Sequence, residues 1–347
     1  MIKKIIKNIP FAKQAITSLK FHREYSYDQK FFRKNYSHSA ENQNKIGYNM
    51  LLISHSLEKG MSNKNPRHFG TAKVDELMKL IREYEAYGDY ENDFDFVNAI
   101  NVLRNYAKFY EAKKWTDAEE YEKVSEFLKD YSDVSKMNVG SFVLEKKDFE
   151  KDAAIDYRKF LASRHSVREF STKKLDEKDL KKAVETAILS PSACNRQMIK
   201  VYYVSDPEKA KKVVSVAQGF GGFEKDTINT IVITFDINAN YFIGERNQGW
   251  FNAGLFSMNL VNALHSQGIG SCFCQFGNST KQEDQLKKLL DIPASERIAV
   301  ILSAGYYCDK SIIPYSPRKK IEDVYRKRWK QKSLFARLAS SFKSLIA

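Results

Sequence analysis

The chain has 347 residues, 43% hydrophobic and 29% charged, with a formal net charge of +14, enough apolar material for one large domain or two ordinary ones. The charge sits at the ends: residues 1–36 carry +7 and residues 310–347 carry +9, leaving the stretch between them at about −2. This argues against a nucleic-acid enzyme with a basic working face, and for tails that solubilise the chain or meet an anionic surface. No apolar run is long enough to span a bilayer, and the lysine-broken N-terminus lacks a small-residue cleavage site, so a cytoplasmic protein is expected. Cys194, Cys272, Cys274 and Cys308 have no zinc-type spacing and read as free thiols in a reducing compartment.

Both tails place apolar residues at helical spacing among lysines, with Ile2, Ile5, Ile6 and Ile9 at the start and Leu334, Phe335, Leu338, Phe342, Leu345 and Ile346 at the end. Such basic amphipathic helices either pack on the body or a second subunit, or lie on anionic membrane. From about 45 to 133 the pattern predicts three or four helices. "KVDELMKLIREYEAYG" puts Val74, Leu77, Leu80, Ile81 and Tyr84 on one stripe, with Gly88 as its cap. "HSLEKGMSNKNPRHFG" (55–70) reads as a non-periodic loop, either functional or an ordinary polar connection.

Beyond a charged linker, "KLDEKDLKKAVETAILSPSACNRQ" is an amphipathic helix stopped by Pro191. "KVYYVS" is a strand, "DPEKAKKVVSVAQ" a helix and "TIVITFD" a buried strand. A long helix, apolar on nearly every side, runs from Gln248 to Gln267; "SCFCQF", "QLKKLLDI" and "RIAVILSAGYY" then supply strand, helix and strand. The alternation predicts an α+β fold with a mixed sheet covered by helices, preceded by an all-α region.

P-loop, dinucleotide-binding, HExxH and GxSxG motifs are all missing. The remaining candidate is "RHSVREF" (164–170), where Arg164, Ser166 and Arg168 at a period of two point to one side of an extended segment and His165 lies between them. Two guanidinium forks and a hydroxyl aimed at one spot suit phosphate oxygens, with an exposed basic turn as the plainer reading. "SPSACNRQ" (190–197) adds a polar loop entering a strand, and "PYSPRKK" (314–320) a late basic pair.

Taken in order, "RHSVREF", "ETAILSPSACNRQ", the "NAG…MNLVNALHSQGIGSC" helix, "LKKLLDIPASERIAVILSAGY" and a late arginine resemble the nitroreductase family of FMN-dependent oxidoreductases over residues 157–325. The resemblance implies a homodimer with FMN at the subunit interface. Arg164 and Ser166, with Arg318, would hold the phosphate and ribityl end, and Arg168 the pyrimidine side of the flavin. Pro191, Ser192 and Asn195 would come from the other subunit, and Cys274 and Gln275 would lie against the ring. Gln218 and Lys225 are looser candidates, and Met198 and Ile199 stand where the family often has an aromatic residue. The family's chemistry implies ping-pong hydride transfer from NAD(P)H through FMN to a small-molecule acceptor: a nitroaromatic, a quinone, an enone or a cell-envelope intermediate.

The organisation expected is a helical region over 1–150, an FMN-binding domain over 151–325 and a basic amphipathic tail over 326–347. The helical region resembles an extension of nitroreductase-like proteins associated with surface polysaccharide production, chiefly through residues 55–70. The competing expectation is a non-catalytic flavin-binding or membrane-surface scaffold docked through the basic ends.

Overall fold

The computed structural model describes residues 10–36, 42–63, 66–88, 90–142, 155–217, 219–220, 223, 229–274, 276, 279–311 and 318–327. The expectations for Ile2 to Ile9, for the C-terminal stripe and for Gln218, Lys225 and Gln275 lie outside these residues. Two compact units divide the chain, residues 1–311 and 312–347. The second contains one described turn of helix, Ile321–Val324.

The first unit begins with α1 (Pro10–Asn35), followed by α2 (Gln43–Met61), α3 (Thr71–Glu85), α4 (Phe94–Lys113) and α5 (Glu119–Phe127). The Asn42 side chain caps α2 by accepting from the Lys45 N–H at 3.1 Å. The predicted stripe on α3 is buried at Val74, Leu77, Ile81 and Tyr84, with Leu80 half-buried against the same core. Gly88 takes the expected left-handed conformation (φ 95°), but α3 stops at Glu85 and Gly88 belongs to the turn beyond it.

Residues 55–70 are not one loop. His55 to Met61 form the last turns of α2, and beyond them Phe69 packs against the helical core. The Tyr110 hydroxyl donates to the Phe69 carbonyl at 3.0 Å, and the Phe69 N–H donates back to it. A Cβ on Gly60 would lie 2.1 Å from the Phe69 ring, so that glycine is a steric requirement. The polar spelling had hidden an anchored aromatic.

After α6 (Tyr157–Ser163) and α7 (Glu177–Ile188) the chain enters β1 (Ile199–Val204), α8 (Pro207–Val216), β2 (Asn229–Asp236), α9 (Gln248–Ser266), β3 (Ile269–Cys274), α10 (Thr280–Leu289) and β4 (Glu296–Tyr306). The four strands form one antiparallel sheet in the order β1-β2-β4-β3. The parallel contribution that makes it mixed is a single bridge, Ser166 to Ser271. α7 and α9 cover one face through Leu180, Ala183, Phe256, Leu260 and Leu264, packed on Ile231, Ile233 and Leu302.

The helical region and the sheet share a smaller core in which Tyr48 and Leu51 of α2 meet Met198, Phe235 and Ile237. α1 is fastened by charge. Arg297 on β4 donates to both carboxylate oxygens of Glu283 at 2.8 and 3.0 Å and to Asp28 of α1 at 2.8 Å. Its guanidinium also lies 5.1 Å from the Phe31 ring centre.

Where α2 and α4 meet, burial raises the Asp95 carboxyl to about 6; Lys200 opposes the shift and Asp93 adds to it. The folded value is above the 3.8 of the unbound group, so the stability associated with the protonated acid is present below about pH 4 and lost as pH rises through about 6. Asp95→Asn should therefore exceed the parent in stability at pH 7 by about 1–3 kcal/mol and match it near pH 4, as urea titrations at the two values would show.

Candidate functional site

The "RHSVREF" segment runs along the free edge of β3. The Val167 N–H donates to the Ser271 carbonyl at 3.1 Å and the Ser171 N–H to the Tyr306 carbonyl at 3.0 Å. Val167 and Phe170 are buried and act as its anchors. Gly305 makes the approach possible, since a Cβ there would lie 2.7 Å from Phe170.

With Val167 turned inward, Arg164, Ser166 and Arg168 share the other side, and all three act on one thiol. Burial pushes Cys272 up, against the pull of Arg168, a hydrogen bond from Ser166 and the charge of Arg164. Cys274, two residues along the same strand, is buried and pushed up to about 12. Both cysteines stay protonated near neutral pH, so neither offers a thiolate nucleophile.

His165 has the opposite parity and is exposed. It faces a hydrogen-bonded chain in which the His265 ring meets the Ser163 hydroxyl and the Tyr307 hydroxyl, each at 2.8 Å. Burial, then Arg164 and His165, lower the pKa of His265, so the ring is neutral at pH 7.

The "SPSACNRQ" loop has a conformation that its letters do not announce. Cys194, Asn195 and Gln197 all adopt positive φ, at 51°, 53° and 47°, a costly arrangement for residues other than glycine. The Ser192 hydroxyl holds the turn by accepting from the Gln197 N–H at 3.0 Å.

Arg196, which sequence reasoning passed over, is 1% exposed. It donates to both Glu245 oxygens at 2.9 and 2.6 Å and to the Ala193 carbonyl at 3.0 Å. Burial alone would raise Glu245, yet the bonds from Arg196 and from the Tyr241 and Phe242 amides hold it below the usual carboxylate range. Nothing local pointed to this pair, whose members are 49 positions apart.

Ser192 and Gln197 line a cavity of about 170 Å³ with Pro191, Ile199, Asn252 and Phe256. Asn252 is 2% exposed, and its amide nitrogen has no hydrogen-bond partner among the described residues. An orphaned buried donor beside a cavity calls for an acceptor that binds there. Asn195 itself is exposed and does not line this cavity.

The two halves lie at opposite corners of the sheet. Ser166 bridges to Ser271, level with Ala304 and Asn229, whereas the polar loop enters β1 where Ile199 faces Phe235. That is four strand spacings across, roughly 19 Å, and about 20 Å along β2. One chain therefore does not bring Arg164 and Ser192 together. Arg318 is exposed and belongs to the second unit.

All four cysteines are free thiols. No cluster of three or more His, Cys, Asp or Glu suited to a metal occurs among the described residues. No described helix is long and apolar enough to cross a membrane.

Residues 161–221 and 230–306 match the profile described as the nitroreductase family. A protein of Archaeoglobus fulgidus, provisionally named NADH dehydrogenase/NAD(P)H nitroreductase, is 27% identical over 173 residues, which cover 49% of this chain and 97% of that one. Among solved structures, an FMN-dependent nitroreductase from Clostridium difficile R20291 has a TM-score of 0.43 at 22% identity, covering 49% of this chain and 98% of the other. The NADPH:FMN oxidoreductase of Vibrio harveyi complexed with NAD+ has a TM-score of 0.43 at 17% identity, covering 55% and 84%.

Proposed function

We propose, on the match of residues 161–221 and 230–306 to the nitroreductase family, that this chain is an FMN-dependent oxidoreductase of that family drawing on NAD(P)H. The observation that carries the reading is the convergence of Arg164, Ser166 and Arg168 on one side of an edge segment beside Cys272. Arg164 and Ser166 would hold the phosphate end, joined by Arg318. Arg168 would stabilise negative charge on the pyrimidine side. The unpartnered Asn252 amide and the Ser192 and Gln197 groups beside it fit the carbonyl and nitrogen acceptors of a flavin ring. Bound FMN supplies a ring that accepts hydride from a nicotinamide and yields it to an oxidised acceptor.

The reading includes a homodimer, because a second copy would supply the Pro191, Ser192 and Asn195 corner to the Arg164 corner of the first. Its support is a row of uncovered apolar groups. Phe251 and Met258 on α9 are 62% and 37% exposed, and Ile188 and Leu189 at the end of α7 are exposed as well. Phe251→Asp should convert a dimer to a monomer and reduce flavin retention at least about tenfold, since a buried charge in an apolar interface costs several kcal/mol; sedimentation and flavin absorbance measure the two effects.

A single slot used in turn by NAD(P)H and the acceptor gives ping-pong kinetics. The acceptor class is a nitroaromatic, quinone, enone or cell-envelope intermediate. The deciding experiment is anaerobic addition of NADH or NADPH to the flavin-loaded protein. Bleaching of the yellow colour is expected, and flavin that neither nucleotide reduces would leave only the scaffold role.

Membrane contact through the basic ends has its own observation, the exposed Ile16, Leu19 and Phe21 of α1 beside Lys20 and Arg23. Flotation with anionic but not neutral vesicles is the expected result.

A further inference from the structure

A cavity of about 530 Å³ lies between α1 and the connection from β2 into α9, a size suited to a small organic molecule. Its floor is aromatic. Phe235 of β2, 1% exposed, meets Trp250 of α9 edge to face at 4.9 Å. Phe32 of α1 and Tyr36 just beyond its end close the other side as a stacked pair 5.3 Å apart.

The charge of the wall is lopsided. Three arginines, Arg33, Arg246 and Arg297, line it against one carboxylate, Asp28. Asp28 and Arg297 are already joined at 2.8 Å, and Arg297 is further satisfied by Glu283. Arg33 and Arg246 are exposed, and neither has a carboxylate within salt-bridge distance among the described residues. α9 also begins in this wall at Asn247, whose side chain gives no cap, so the positive end of a 19-residue helix adds to the same field. Two guanidinium forks and a helix start around an apolar floor leave a positive field that the described residues do not neutralise. A bound anion would neutralise it, and the aromatic floor would take an apolar body.

We propose that this cavity is a second small-molecule site that takes an organic anion with a flat apolar body. Arg33 and Arg246 grip the anionic head, and Phe235, Trp250 and Phe32 pack the body. The site is distinct from both parts of the proposed flavin site: Phe235 lies at the opposite corner of the sheet from the arginine segment, and no residue lining this cavity lines the smaller one beside Ser192. It also has a physical link to the strained loop, since Glu245, next to Arg246, is the partner that holds Arg196.

The test is calorimetric titration of the FMN-saturated protein with 1-naphthyl phosphate, and with 1-naphthol as the neutral counterpart. One saturable site per chain is expected for the phosphate, with at least about tenfold weaker binding of the naphthol. The double variant Arg33→Gln/Arg246→Gln, which changes only exposed side chains, should weaken naphthyl phosphate at least about tenfold and leave FMN binding unchanged. Arg164→Ala should do the reverse. Absence of saturable binding, equal affinity for the naphthol, or an unaltered double variant would overturn the proposal. The same titration on flavin-free protein reads this site whether or not FMN binds, so the two readings fail independently.

Discussion

Glu245→Ala should lower stability by about 3–5 kcal/mol, because it strands the Arg196 guanidinium in the interior without its charge partner. Arg196 is 1% exposed, so water cannot take over the lost bonds. A loss of this size is a large fraction of the stability of an ordinary domain. The double variant Glu245→Ala/Arg196→Met removes the stranded charge and should recover at least about 1 kcal/mol relative to the single one, although the Ala193 and Ala239 carbonyls lose their donor. Urea titrations of the three proteins measure the cycle. A cost under 1 kcal/mol for Glu245→Ala would show that the pair does not hold the loop. Because Arg196 binds the Ala193 carbonyl inside a turn with three left-handed residues, loosening it should also disorder the Ser192 and Gln197 wall of the smaller cavity. Weaker flavin retention should accompany the stability loss.

Arg164→Ala should weaken FMN binding by about 1.5–3 kcal/mol, or roughly 10–150-fold in Kd, as expected for a charged hydrogen bond to phosphate. Fluorescence titration with FMN gives the number. Unchanged affinity would mean that the phosphate sits elsewhere. A second readout checks the geometry without flavin: Arg164 is among the charges that lower the His265 pKa, so the variant should titrate His265 at a higher pH by NMR. A variant that shows the His265 shift but keeps its flavin affinity would be correctly folded and would count directly against the phosphate assignment.

The resemblance was carried by short boxes in order, and the boxes were legible because each follows a local rule. In "RHSVREF" the alternation of Val167 with its neighbours decides which side chains share a side, and that parity needs no knowledge of the rest of the chain. The stripe Val74, Leu77, Ile81, Tyr84 is likewise a property of helical spacing. Where spelling misled, in residues 55–70, charged and glycine letters concealed a helix end and a phenylalanine pinned by Tyr110.

By itself the sequence determined the α+β class, the order of helices and strands from residue 177 to 306 and the arginine–serine–arginine spacing, since hydrophobic period and strand parity are set by neighbours a few positions apart; it did not announce α1. Only the tertiary structure decided that the arginine segment and the polar loop occupy opposite corners of one sheet, because strand order depends on pairings between distant segments. It alone revealed Arg196 with Glu245, and Arg297 with Glu283 and Asp28. A charge can be buried only where its partner is delivered by another element, and no local pattern records which element that will be.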